Sequence, residues 1–95
     1  MAILHTQINT RSPEFAANSA AMLEQVNDLR ALLGRISEGG GAIAQQRHTA
    51  RGKLLVRERI NALLDPGSAF LEVSALAAHE VYGEDVPAAG VVAGI

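Results

Sequence analysis

The six residues Gly90-Val91-Val92-Ala93-Gly94-Ile95 constrain the fold more than any other stretch. Valine and isoleucine bracketed by glycines favour extended backbone. An apolar strand of this kind sits inside a sheet, with its amides and carbonyls paired on both sides. Only one other segment, Phe70-Leu71-Glu72-Val73, reads as a strand, and a two-stranded ribbon is marginal in water. The expectation is that the sheet continues in sequence outside these 95 residues, or is supplied by a partner.

Most of what precedes these strands has helical character. After an irregular arm over residues 1–11, Ser12-Pro13-Glu14 combines an N-cap serine, a proline suited to the first helical position and an acid at the positive dipole end. Met22, Val26, Leu29, Leu33 and Ile36 then recur at spacings of four, three, four and three, and Phe15 lies seven before Met22. This predicts one amphipathic helix of about seven turns, stopped at Gly39-Gly40-Gly41. Its narrow seam suits packing along a neighbour. A second helix is expected over Ala42–Ala50 with Ile43 as its anchor and Gln45, Gln46, Arg47 and His48 on a surface or interface. A third is expected from about Val56 to Leu64, carrying Val56, Ile60, Leu63 and Leu64 on one side and closed by Asp65-Pro66-Gly67-Ser68. Ala75–Val81 fits either a loop or a helical turn, and residues 83–87 read as a loop.

Composition narrows the function classes. Phe15, Phe70 and Tyr82 are the only aromatic residues, so few large side chains can fill an independent core. A net charge of −2 argues against a nucleic-acid-binding domain. Without cysteine there is no disulfide, thiol nucleophile or thiolate metal site, which fits a cytoplasmic (bacterial) setting. No stretch approaches the roughly 20 apolar residues of a membrane span, and the first residues lack the marks of a secretory signal.

Charge is concentrated in one place. Arg47, Arg51, Lys53, Arg57 and Arg59 are five of the eight Lys and Arg, held within thirteen positions that also contain His48. Such a cluster can grip a phosphate through bidentate and point-charge donors. In Arg51-Gly52-Lys53 the glycine permits close backbone approach, and the following helix start adds amide donors. The alternative is that Arg57, Glu58 and Arg59 form a solvated or structurally paired helix face. His79-Glu80 is not a zinc motif, because Gly83 stands where the second histidine belongs. His5, His48 and His79 are too scattered for a metal site, and no Ser-His-Asp set or carboxylate pair stands out.

The order Arg51-Gly52-Lys53-Leu54-Leu55, Arg57-Glu58-Arg59-Ile60 and Leu63-Leu64-Asp65-Pro66-Gly67-Ser68 resembles the opening signature of biotin-dependent acyl-CoA carboxyltransferases. The resemblance extends from about Ser12 to Ile95. Phe70-Leu71-Glu72-Val73-Ser74 and Ala78-His79-Glu80-Val81-Tyr82-Gly83 are similar to the methylcrotonyl-CoA branch, with geranyl-CoA carboxylases as the near alternative. It implies an α/β, crotonase-type carboxyltransferase fold, with residues 12–95 as the mainly helical N-terminal part of an N-domain. It also implies transfer of a carboxyl group from carboxybiotin to 3-methylcrotonyl-CoA, in leucine degradation. The biotin would be carried by a biotin carboxylase/biotin carrier α subunit, and other copies of the carboxyltransferase would complete a large oligomer. No metal, nucleic-acid or membrane partner is implied. The family's glycine-rich oxyanion segments would lie beyond Ile95, so no catalytic residue is assigned and the segment alone is expected to be inactive. Arg47, Arg51 and Lys53 are the residues expected near the coenzyme A phosphates. Many members of that family have Thr at the position of Leu55, so the third helix is expected to be less well capped here. Two other readings stand beside this one: a non-enzymatic helical interaction module, and a truncated product without function.

Overall fold

A computed structural model describes every residue from Met1 to Ile95. Three helices come first: α1 (Pro13–Ser37), α2 (Gly41–Thr49) and α3 (Val56–Leu63). They are followed by β1 (Glu72–Val73), a 3₁₀ turn (Pro87–Gly90) and β2 (Ala93–Gly94). The chain divides into two units, Met1–Ala31 and Leu32–Ile95.

The first unit holds the irregular arm and most of α1. Ser12 starts the helix as expected. Its hydroxyl oxygen accepts from the Phe15 amide at 3.1 Å while its proton goes to the Asn9 carbonyl at 2.9 Å, satisfying one of the orphan helical donors. Phe15, Met22 and Leu29 on the expected seam are exposed, and Val26 is half-buried.

The second unit begins with the last turns of α1, where the seam reaches Ile36, 5% exposed. Gly39 at φ 60° then turns the chain out of the helix, a conformation that is strained for residues bearing a Cβ. Ile36 shares a crevice with Val56, Ala88 and Val92, so the end of α1, the start of α3 and the 3₁₀ turn meet there. Ile36 and Ala88 are the only buried hydrophobic residues. Ala88 and Ala89 both adopt φ 51°, and the Ala89 amide donates to the Ala77 carbonyl, tying the 3₁₀ turn to the run of turns after β1.

The expected anchoring of α2 by Ile43 is not what forms. Ile43 is 68% exposed, while Gln45 and His48 are half-buried. Gln45 Nε2 donates to the Glu38 carbonyl at 2.7 Å, just past the C-terminus of α1, where the Gly41 amide also donates at 3.2 Å, so a polar side chain of α2 ties that helix to the end of α1. On α3, Ile60 and Leu64 face the unit while Val56 and Leu63 remain exposed, splitting the expected apolar side.

The two strands pair antiparallel, Glu72 opposite Gly94 and Val73 opposite Ala93. Leu71 and Ile95 extend the ladder by exchanging hydrogen bonds of 2.8 and 3.0 Å. Within the chain the 90–95 run is therefore paired on one side only, and Val91 and Ile95 are 67% and 84% exposed. The chain keeps 8283 Å² accessible to solvent. A folded monomer of this mass exposes about 5,200 Å². The difference has the size of a large protein interface.

Candidate functional site

Of the five clustered basic residues, one is neutralised. Arg57 leaves the first turn of α3 and forms a two-pronged pair with Glu72 of β1, Nη2 to Oε1 at 2.6 Å and Nε to Oε2 at 3.0 Å. Its Nη1 also donates to the Ser37 carbonyl at 3.2 Å, among the unpaired carbonyls that end α1. One guanidinium thus ties α1, α3 and β1 together. Of the expected solvated or structurally paired helix face, Arg57 takes the paired form and Arg59, exposed and without an ion-pair partner, the solvated one.

Arg47 lies in the last turn of α2, Arg51 in the turn that follows and Lys53 in the extended link to α3; all three are exposed and free of ion pairs. Gly52 adopts φ 74°, which lets the chain reverse after α2. The Arg51 and Gly52 amides are engaged within the turn, and of the donors expected at the following helix start the Leu55 amide is taken as well. The Arg51 amide donates to His48 and the Gly52 amide to Thr49. The Leu55 amide donates to Glu58 Oε2 at 2.8 Å, so the acid three residues into α3 supplies half of a capping box that Leu55 cannot reciprocate. That carboxylate also opposes an incoming anion at the helix start.

His48 crosses from α2 to the link: its Nε2 lies 3.0 Å from the Leu54 carbonyl oxygen and must carry the proton it donates. His48, Lys53, Leu54 and Arg59 together line a depression of about 420 Å³. His48, Leu54 and Arg59 also line an adjoining groove of about 300 Å³ between the end of α1, α2 and the start of α3. Lys53 is thus joined by Arg59 and His48, members of the clustered segment outside the three residues expected at a phosphate. No sequence signal marked Glu72 as the partner of Arg57. Elsewhere, His79 and Glu80 approach to 3.7 Å, and no group of three or more His, Cys, Asp or Glu is placed to hold a metal ion.

The carboxyl transferase domain family matches residues 47–95, which begin at the basic cluster and run to the end of β2. The chain belongs to that family. A probable mitochondrial methylcrotonoyl-CoA carboxylase β chain from Drosophila melanogaster is 51% identical over 94 residues, covering 98% of this chain and 16% of the fly protein. A biotin-dependent 3-methylcrotonyl-CoA carboxylase β1 subunit from Mycobacterium tuberculosis is 44% identical over 84 residues, covering 88% of this chain and 15% of the relative. Among solved structures, a transcarboxylase 12S hexamer with methylmalonyl-CoA and methylmalonic acid bound superposes with a TM-score of 0.69 at 38% identity. That match covers 77% of this chain and 15% of the 12S chain. This carboxyl transferase segment thus spans about a sixth of the length of the curated relatives it matches. No helix in it is long and apolar enough to cross a membrane.

Proposed function

We propose that this chain serves as the N-terminal layer of the carboxyltransferase subunit of a biotin-dependent acyl-CoA carboxylase acting on 3-methylcrotonyl-CoA. The observation that carries the reading is the 51% identity to a methylcrotonoyl-CoA carboxylase β chain across 98% of the chain. Its fold is then the helical entry to an α/β, crotonase-type domain. The surface left accessible on α1 and β2 is where the remaining layers and other copies of the subunit pack. A partner α subunit carries the biotin, and the enzyme works in leucine degradation, in the bacterial cytoplasm. Carboxybiotin supplies the transferred carboxyl group. No residue of this chain is assigned to that step; the Arg51, Gly52 and Leu55 amides beside the basic cluster are internally satisfied. What the chain supplies is positioning. Arg47, Arg51 and Lys53, exposed and unpaired, hold or attract the coenzyme A phosphates.

The test uses a full-length carboxyltransferase carrying this segment, assayed with its biotin-bearing partner. It should carboxylate 3-methylcrotonyl-CoA in preference to propionyl-CoA; the reverse preference refutes the substrate. Arg51→Ala with Lys53→Ala should raise KM for the acyl-CoA about tenfold or more with little change in kcat, the pattern of lost ground-state binding. An unchanged KM refutes the role of these residues.

A further inference from the structure

We propose that Lys53 and Arg59 form the direct contact site for a phosphoryl group, on a ligand whose apolar portion continues into the neighbouring groove. The depression they line has no carboxylate in its wall, and neither cation has an ion-pair partner. Both charges are therefore available to a ligand. They are also set against the rest of the chain. Residues 47–59 carry five Lys and Arg and one acid, a balance of +4, so the remaining residues, with three and nine, carry −6 within the overall −2. An anion is steered towards this one region.

His48 makes the depression usable. A free Leu54 carbonyl would turn its negative end on an incoming anion, and the His48 Nε2–H occupies that oxygen at 3.0 Å. The same bond pins the link between α2 and α3, so Lys53 of that link and Arg59 of α3 face one space. Beyond His48, Leu54 and Arg59 the wall continues through Gly40, Ala44 and Leu55, and Glu38 also lines this groove. A cationic mouth joined to a mainly apolar groove suits a phosphate diester or pyrophosphate attached to an organic chain. Arg47 and Arg51 line neither space, so their part is long-range attraction. The inference rests on the acyl-CoA reading only for the source of the phosphoryl group.

Two charge-removing pairs separate the roles: Lys53→Gln with Arg59→Gln, and Arg47→Gln with Arg51→Gln. All four side chains are exposed, so far-UV circular dichroism should be unchanged. Pyrophosphate is titrated into the 95-residue chain by amide NMR at low salt, and acyl-CoA into the full-length carboxyltransferase by calorimetry. The first pair should weaken both ligands about 100-fold, roughly tenfold for each charge-assisted contact. The second pair should cost at least ten times less, and its effect should fade in high salt. Pyrophosphate binding that depends on Lys53 and Arg59 without an equivalent dependence for acyl-CoA keeps the anion site and removes coenzyme A as its ligand. Tight acyl-CoA binding that is indifferent to the first pair overturns the site and leaves the acyl-CoA reading intact.

Discussion

Replacing Arg57 with Met keeps the aliphatic stem and deletes three hydrogen bonds. Two go to Glu72 and one to the Ser37 carbonyl. The cost depends on burial. A fully exposed ion pair contributes about 0–1 kcal/mol, whereas removing one partner of a buried pair costs about 3–5 kcal/mol. The side chains of Arg57 and Glu72 are 29% and 23% exposed, which places the pair between those limits. We expect a loss of about 2–3 kcal/mol, since the half-buried Glu72 carboxylate left behind recovers only part of its hydration. This loss is local, because the pair ties β1 to α3 and to the end of α1. Native-state hydrogen exchange reads it directly. The amides of Leu71 and Ile95, which close the two-stranded ladder, should exchange about 30- to 150-fold faster. Glu72→Gln should give a smaller effect in the same direction, and the double variant should fall short of the sum by about 1 kcal/mol or more. Additive effects, or exchange accelerated less than threefold, would refute the clamp.

Two backbone positions offer independent checks. Gly94→Ala places a Cβ onto the Leu71 carbonyl oxygen and the Phe70 ring, so the ladder should open and the Leu71 and Ile95 amides should lose protection while the α1 amides keep theirs. Ala89→Gly removes the left-handed penalty at an exposed position with φ 51° and should stabilise the 3₁₀ turn by about 1 kcal/mol, seen as slower exchange of the Ala89 amide bonded to Ala77. The same change at Ala88 should show less benefit, because that methyl group is buried.

Where local rules act alone, the sequence was legible. Ser12, Pro13 and the glycines after Glu38 bound α1 to within two residues, although of its expected apolar seam only Ile36 is buried and Val26 half-buried. Legibility failed where polar contacts between distant residues override apolar pattern. Ile43 is the only strong hydrophobe of α2, yet it points to solvent because Gln45 and His48 are needed at the Glu38 and Leu54 carbonyls. In β1 the period-two rule would turn Val73 and Leu71 inward; both are exposed, and Glu72 faces Arg57 fifteen residues away. No periodicity signals such a pair. The basic cluster was visible as composition, but division of labour within it needed coordinates, since Arg57 and Arg59 differ by two positions and face different partners.

These failures have a common physical cause. Around the start of α3, three backbone carbonyls near helix ends, those of Ser37, Glu38 and Leu54, each accept from a side chain of another segment: Arg57, Gln45 and His48. With only Ile36 and Ala88 buried, apolar packing inside the unit cannot fix the α1–α2–α3 geometry. The polar ties do so instead, each hydrogen bond contributing about 0.5–1.5 kcal/mol net. The arrangement leaves the hydrophobic faces of α1 and β2 free for other surfaces. It also holds the link bearing Lys53 in one conformation before those surfaces arrive. The polar residues set the local shape that the basic cluster depends on.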